Sequence, residues 1–541
     1  MTPDSKDSAR SLRVVSLFSG IGGGDLGLER AGHSVVEMCE SWAPARRVLA
    51  HRFPGVHVAD DVRTYTPQIE YDLLSAGFPC VDLSHAGTQT GIFGPQSGLV
   101  EHVFRIAAQT APAWILIENV PNLLRLQQGA GIRYIIENLE RLHYRWAYRV
   151  LDSRAFGVAQ RRNRVVILAA LAEDPARVLL SQDVPDLFPS SSDVAANPKA
   201  SGFYWTEGRR GVGLVSGATP TLKGGSTLGL PSAPAVWLPA EKVGRRIVLP
   251  TIEDAEELQG LDRGWTSAAD KDETTSARWK LVGNAITVGV AEWIGARLSE
   301  RAVDGEPVAP SSQRRSTWPD AAFGESGTIL PSGASRWPIC SAKKDLNDVI
   351  DHGAAAPLSY RATLGFLSRI EESGIELPTR LMSDLESHLA AMRQHVSGGA
   401  SWASNKSVRA RMQRTRQQNT TPEIRLRRAL SDLGIRYRLQ VRPFSDLRWR
   451  SDIVFIGLKL VVEVRGCYWH VCPIHQSWPK ANAERWAEKL RRNQERDRRM
   501  EADFNERGWE VIVVWEHEES VEAAARIQDR LRQLKSATTS A

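Results

Sequence analysis

Cys80 directly follows Gly77-Phe78-Pro79, where the short apolar run Leu73 to Ala76 ends. A cysteine after proline at a strand end is exposed and, once its pKa is lowered, nucleophilic; a structural cysteine sits more often inside the run. The next run ends in Glu118-Asn119-Val120, a carboxylate at a comparable position. Upstream, Phe18-Ser-Gly20-Ile-Gly22-Gly-Gly24 joins an apolar run to a helical pattern. Glycines at such a turn let the backbone and helix N–H groups approach a cofactor. Glu40 follows at about the spacing where an acidic side chain accepts both ribose hydroxyls, roughly 20 residues on. Asp61, in Ala59-Asp-Asp-Val62, can meet an adenine. Ligands of open α/β sheets bind outside the carboxyl ends of the strands, and all these residues fall there.

A second group lies near the C-terminus. Cys467-x4-Cys472-x2-His475, with His517 after a distant apolar run, supplies four ligands suited to tetrahedral structural zinc, against the bland alternative of thiols and surface histidines brought together by chance. Asp452 opens one short strand, and Glu463-Val-Arg465 closes the next. This resembles the Asp, Glu-x-Lys arrangement of restriction-like nucleases, with Arg in place of Lys. If the two strands form a hairpin, their carboxylates can hold Mg²⁺ against a phosphate.

The elements that must position these groups are legible as hydrophobic rhythm. From Leu12 to about Leu171, apolar runs (Val14 to Phe18, Val35 to Met38, Leu73 to Ala76, Trp114 to Ile117, Val165 to Leu168) alternate with helical patterns, predicting an α/β, Rossmann-like domain with a largely parallel sheet. A loop-rich lobe is inserted at about 172–245, and the domain closes near residue 300. Residues 301–340, rich in Pro, Ser and Gly, read as a linker. Leu364, Leu367 and Ile370, then Leu381, Leu385, Leu389 and Met392, predict a helical accessory segment over 341–396. A restriction-endonuclease-like α/β domain is expected over 402–535.

Phe18-Ser-Gly-Ile-Gly22, Gly77-Phe-Pro-Cys80, Glu118-Asn-Val120, Gln160-Arg-Arg-Asn-Arg164 and Gly283-Asn-Ala285 occur in the order and spacing of the DNA cytosine-5 methyltransferases, which this part of the chain resembles from residue 13 to about 300. The resemblance implies S-adenosylmethionine in a pocket of Phe18, Gly20, Gly22, Glu40, Asp61, Asn284 and Val288. It implies Cys80 as the nucleophile that adds to carbon 6 of an extruded cytosine, Glu118 as donor to the ring nitrogen, and Arg162 and Arg164 as steadying cations. The lobe would then read duplex DNA, with Thr221-Leu222 and the neighbouring glycines of Gly217-Ala-Thr-Pro-Thr-Leu-Lys-Gly-Gly225 our expectation for base contacts; an RNA cytosine is the alternative substrate. One departure is Val81, where the family usually carries Gln.

From Met412 through Asn419-Thr-Thr-Pro-Glu423, Asp452, Gly466-Cys-Tyr-Trp-His470, Asn493-x2-Arg-Asp497 and Trp515-Glu-His517, the C-terminal part resembles the very-short-patch repair endonucleases, which nick beside T:G mismatches. By that resemblance Asp452 binds Mg²⁺, His470 is general acid or base, Glu423 assists, and Tyr468 and Trp469 wedge into the base stack. Ordinary core packing is the alternative for the aromatic pair. Arg465 departs from the family, which often carries His there. The fusion has a chemical logic: deamination of 5-methylcytosine gives T:G, so one chain would make the mark and correct its damage. A restriction or defence nuclease and a non-cleaving DNA-binding module are the rival readings.

Composition agrees with a nucleic-acid partner. Ser401 to Ala541 holds 28 Lys/Arg against 18 Asp/Glu, so the chain's basic excess lies in this part. The five cysteines (Cys39, Cys80, Cys340, Cys467, Cys472) are too few for a disulfide framework. Cys39 reads as a core residue, and Cys340 has no evident partner. The polar N-terminus and the lack of a long apolar stretch lead us to expect a cytoplasmic, nucleoid-associated protein.

Overall fold

The computed structural model describes residues 10–79, 97–184, 199–207, 211–224, 234–269, 276–300, 305–309, 318–397, 420–444, 446–447, 449–475 and 483–539. Cys80, Val81 and Met412 lie outside the described residues. The chain divides into two compact units, Met1–Val396 and Ser397–Ala541. Among the described residues, no helix is long and apolar enough to cross a membrane.

The first unit is built on a nine-stranded sheet in the order β15-β14-β6-β8-β5-β4-β1-β2-β3. Strands β1 (Arg13–Leu17), β2 (Ser34–Cys39), β3 (His57–Ala59), β4 (Leu73–Ala76) and β5 (Trp114–Asn119) run parallel. They read as unbroken apolar runs because both faces are covered. Val14, Leu73 and Trp114 enter one core and Val15, Leu74 and Ile115 the other. The expected largely parallel sheet holds only for this half. β6 (Arg145–Asp152) and β8 (Asn163–Ala170) pair antiparallel with each other, and β8 pairs antiparallel with β5. The connection 153–162 is too short for a parallel crossover, which needs about a dozen residues or more.

Two sequence expectations are corrected. Residues 301–340 are not a plain linker: β14 (Ala321–Glu325) pairs with β6, and β15 (Thr328–Pro331) forms the sheet edge. β15 is exposed along its length, and its apolar pair Ile329-Leu330 is too short a run to announce a strand. The segment 341–396 is not a separate accessory. The lobe sheet has the order β10-β9-β12-β13-β16, comprising β9 (Ser201–Phe203), β10 (Val215–Ser216), β12 (Ala235–Trp237), β13 (Ile247–Leu249) and β16 (Ala356–Pro357). The helices Tyr360–Ser373 and Thr379–Ser397 follow and close its core. Thr363, Phe366 and Ile370 form the buried stripe of the first, while Leu364 faces solvent at 43% exposure. A parallel pairing of β7 (Gln160–Arg161) with β11 (Thr219–Pro220) stitches the lobe to the main sheet.

The second unit has a four-stranded sheet, β17 (Arg438–Val441), β18 (Ser451–Phe455), β19 (Leu460–Arg465) and β20 (Glu510–Trp515), in that order. β18 and β19 form an antiparallel hairpin, and β20 lies parallel to β19. Ile453, Leu460 and Val462 pack with Leu426 and Ile527 from the helices Thr421–Asp432 and Ser520–Thr539. Val454 and Val461 take the other face, with Met500 and Phe504 of the helix Ala483–Glu506. Strand alternation therefore gives Asp452, Glu463 and Arg465 to that second face.

Candidate active sites

After β1 the backbone turns through positive φ at Phe18 (57°), Gly20 (58°) and Gly22 (78°) before the helix Gly23–Arg30. Glu40, just past β2, pins this turn: its carboxylate accepts the Gly20 amide at 2.9 Å and the Trp42 amide at 2.7 Å. Burial raises the Glu40 carboxyl, and the amide donors oppose that rise. Each carboxylate oxygen keeps a lone pair, so the group still fits a ribose diol. Phe18, Gly20, Glu40, Asp61 and Asn284 line a cavity of about 1520 Å³ that also holds Glu118 and Arg164. That exceeds the roughly 300–1,000 Å³ of an ordinary ligand pocket and leaves room for a nucleoside cofactor beside an extruded base.

Gly22 and Val288 do not line the cavity. A Cβ on Gly22 would stand 2.3 Å from the Phe53 ring, so its positive φ and the crowding explain this glycine without a ligand. Val288 is fully buried in the core, its amide donating to the Gln259 carbonyl at 3.0 Å. The Asp61 carboxylate faces Arg63 at 2.8 Å, and that guanidinium holds its carboxyl down at about 2. Sequence reasoning missed Trp42, two residues past Glu40, and Lys280, whose ammonium sits 4.7 Å from the Trp42 ring centre; both line the cavity.

Asp25 was also missed. It lines the cavity at 2% exposure, with Oδ1 lacking a partner among the described residues. Burial pushes its carboxyl up from 3.8 to about 6, against the lowering effect of the Ser16 hydrogen bond. The folded state thus holds this proton more tightly than the unfolded chain. The resulting stabilisation is complete below pH about 4 and is lost as the pH rises through 6. Asp25→Asn, neutral throughout, should gain on the wild type by on the order of 2–3 kcal/mol between pH 4 and pH 8. Unfolding midpoints across that range measure it; a constant difference would contradict the assignment.

The residues expected to be catalytic meet where β5 pairs with β8. Their antiparallel register sets Asn119 across from Val165, which brings Arg164 Nε to 2.8 Å from Glu118 Oε1. Asn119 donates its amide to the Phe78 carbonyl at 3.3 Å, tying the segment that enters Cys80 to the strand end carrying Glu118. Arg162, expected beside the reacting ring, is turned away. It is 1% exposed and donates to the carbonyls of Leu222 (3.4 Å), Gly283 (3.2 Å) and Ala285 (2.6 Å). Orphaning a buried carbonyl costs about 1–3 kcal/mol, so three such contacts mark a structural clamp. Thr221 and Leu222, our expected base contacts, are likewise engaged: Thr221 Oγ1 donates to the Arg161 carbonyl at 2.9 Å, and Leu222 is buried with its amide on Gln160 Oε1 at 2.8 Å.

In the second unit the β18–β19 hairpin brings Asp452 beside Glu463. Asp452 accepts from Gln440 Nε2 and from the Val464 amide, both at 2.9 Å. Burial raises the Asp452 carboxyl, and the nearby Glu423 charge adds to that rise. Glu423 is buried and held by Thr420 at 2.9 Å and Arg427 at 2.7 Å. Burial, reinforced by the charge of Asp452, pushes Glu463 up to about 8. Arg465 reaches Glu501 at 2.7 Å. His470 Nδ1 meets Asp497 Oδ2 at 2.5 Å, which fixes the ring. This orienting role of Asp497 was missed; its place in Asn493-x2-Arg-Asp497 was the available signal. Asn493 braces the Trp469 carbonyl at 2.9 Å, and the Tyr468 and Trp469 rings meet edge to face at 5.2 Å.

Cys467, Cys472, His475 and His517 bring one ligand atom each to within 4.8 Å of the others. Zn–S and Zn–N bonds of about 2.0–2.3 Å in a tetrahedron require ligand separations near 3.3–3.8 Å, so a small adjustment of the four side chains would satisfy zinc. Cys467 Sγ already lies 3.0 Å and Cys472 Sγ 3.6 Å from His517 Nδ1. The cluster ties the loop after β19 to the end of β20, flanking His470.

Residues 12–205 match the family profile of C-5 cytosine-specific DNA methylases, and residues 403–478 that of the DNA mismatch endonuclease Vsr. The chain is 44% identical over 372 residues to the type II methyltransferase M2.BsuMI of Bacillus subtilis, covering 66% of this chain and 93% of that protein. It is 43% identical over 157 residues to the type II nicking enzyme V.NaeI of Lentzea aerocolonigenes, covering 28% of this chain and 95% of that one. A further similarity, 41% over 125 residues, is to the type II nicking enzyme V.XorIIP of Xanthomonas oryzae, covering 23% of this chain and 88% of that protein.

Proposed function

Since the chain belongs to the C-5 cytosine-specific DNA methylases in its first unit and to the Vsr-type DNA endonucleases in its second, we propose that it methylates cytosine in one duplex sequence and nicks the T:G mismatches that deamination leaves there. S-adenosylmethionine, when bound, supplies an electrophilic methyl group. Phe18, Gly20, Glu40 and Asn284 would hold it, with Trp42 and Lys280 lining the same cavity. The Cys80 thiolate adds to carbon 6 of the extruded base, making carbon 5 nucleophilic. Glu118 donates to the ring nitrogen as negative charge develops there, and Arg164 orients Glu118 and faces the adduct. After methylation a base removes the carbon 5 proton and the thiolate departs, restoring the aromatic ring. Arg162 acts on this chemistry only through the backbone it clamps. The Asn119 contact to Phe78, which ties the approach to Cys80 to the Glu118 strand end, is the observation that supports this reading most.

In the second unit Asp452, with Glu423 nearby, is our choice for holding Mg²⁺, which polarises a phosphate when bound. His470, oriented by Asp497, serves as general acid or base, and Tyr468 and Trp469 meet the base stack. The restriction-nuclease reading draws on the juxtaposition of Asp452 and Glu463. One feature weighs against it: Arg465, which stands where the restriction-like pattern has Lys, is committed to Glu501. Cleavage assays on matched, unmethylated and T:G duplexes decide: nicking confined to T:G supports repair, whereas double-strand cleavage of unmethylated matched DNA overturns it.

Structural zinc at Cys467, Cys472, His475 and His517 gives a separate expectation. Cys472→Ala should release one equivalent of zinc, lower the unfolding midpoint of the second unit and abolish nicking, with methylation unchanged. Elemental analysis checks it; a wild-type protein purified without zinc would defeat the assignment.

A further inference from the structure

We infer that residues 356–397, beyond the last methyltransferase motif, are part of the DNA-reading lobe, and that Arg369 is a positioning residue that sets this enzyme's sequence selectivity. The inference rests on the methyltransferase reading of the first unit. Its first support is construction. β16 adds to the lobe sheet in the register Val248↔Pro357 and Leu249↔Ala356. Phe203 and Phe366 pack at 5.1 Å between ring centres, and Trp237 donates its indole N–H to Asp384 at 2.9 Å. His388 binds the Leu358 carbonyl at 2.8 Å, fastening the second helix to the strand end. Phe203 and Trp237 are fully buried, so the strands 201–237 lack a closed core without the later segment.

The second support is a continuous chain of contacts from the helix Tyr360–Ser373 to the wall of the catalytic cavity. Arg369 donates to the Trp205 carbonyl at 2.6 Å and the Glu207 carbonyl at 3.3 Å. The Glu207 carboxylate pairs with Lys223, whose ammonium lies 3.9 Å from the Tyr204 ring centre. The Tyr204 hydroxyl donates to the Thr221 carbonyl at 2.8 Å, and Thr221 Oγ1 reaches the Arg161 carbonyl on β7. Tyr204, Thr206, Glu207, Lys223 and Arg369 all line the cavity in which the extruded cytosine must sit. The chain carries cationic, aromatic and carboxylate groups, the chemistry that meets base edges and phosphates. Of this chain, Tyr204, Thr206, Glu207 and Lys223 form the reading edge at the cavity wall, and Arg369, at the same wall, fixes the Trp205 and Glu207 carbonyls of its backbone. A guanidinium gripping two carbonyls sets geometry that a single ammonium holds less well.

The test uses the full chain and duplexes carrying the methylated sequence, along with a set in which each base pair is changed singly. Arg369→Ala should raise the KM for cognate DNA about tenfold and cut the cognate to near-cognate ratio by a similar factor, as expected for loss of charge-assisted hydrogen bonds. The kcat on cognate DNA and the Kd for S-adenosylmethionine should stay within about twofold, because Arg369 touches neither the reacting atoms nor the Glu40 turn. Arg369→Lys should fall between the two. Glu207→Gln, which breaks the Lys223 pair but keeps both carbonyls that Arg369 grips, should also lose selectivity because it alters the reading edge itself, and Arg369→Lys decides the role of Arg369 if Arg369→Ala unfolds. An unchanged ratio and KM in folded Arg369→Ala or in Glu207→Gln would overturn the inference while leaving the activity intact. A wild type unable to methylate any DNA would overturn both.

Discussion

Cys80→Ser is expected to eliminate methyl transfer to DNA by about four orders of magnitude or more, with the Kd for S-adenosylmethionine unchanged within about twofold. A serine hydroxyl is a far weaker nucleophile than a thiolate, and carbon 5 of cytosine gains no nucleophilicity until carbon 6 is attacked. Cofactor binding survives because the pocket is built from other strand ends: the turn after β1, Glu40 after β2 and Asn284 closing the helix Ser276–Asn284. Steady-state methylation and calorimetric cofactor titration measure the two quantities separately. Substantial residual methylation in the purified variant would overturn the nucleophile assignment, and joint loss of both activities would mean that Cys80 acts through structure.

The second large effect belongs to the hairpin of the second unit. Asp452→Ala should reduce nicking of T:G duplexes by about three orders of magnitude, since a metal-bound phosphate gains several kcal/mol of transition-state stabilisation. Glu463→Ala separates the two catalytic readings. Glu463 completes the carboxylate pair with Asp452 that the restriction-like pattern uses, whereas the repair pattern relies on Asp452 and His470. The repair reading therefore expects Glu463→Ala to keep part of its activity and His470→Ala to lose nearly all of it. The restriction-like reading expects the reverse. If the wild type with Mg²⁺ cleaves neither T:G nor matched duplexes across many contexts, both nuclease assignments fall and a DNA-binding module remains.

The parallel half of the main sheet was legible because strands covered on both faces spell continuous apolar runs, and their carboxyl ends locate Phe18, Glu40 and Glu118 without reference to packing. The antiparallel half was not. β14 fully buries only Ala321 and Ala322, the exposed edge strand β15 offers only the pair Ile329-Leu330, and β16 is only Ala356–Pro357, each too short for a periodic signal. Side-chain direction was the other blind spot. Gly22, Val288 and Arg162 stand among residues that line the cavity, yet a ring contact, a core position and three carbonyls claim them. The helix Tyr360–Ser373 shows the same limit. Leu364 and Ile370 are equivalent as apolar residues of the sequence, but the lobe core takes Thr363, Phe366 and Ile370 and leaves Leu364 outside. Spacing established that Asp452 and Glu463 could meet; only the hairpin register and burial reveal what that proximity does to their charges.

Bisulfite sequencing of the genome of a host expressing the full chain tests the central claim most directly, since every cytosine context is sampled and no target sequence has to be chosen. One short sequence should appear protected from conversion at a single cytosine throughout the genome, and the same host carrying Cys80→Ser should show none of it. A genome with no cytosine protected by the wild-type protein, or one protected equally by Cys80→Ser, would contradict the account.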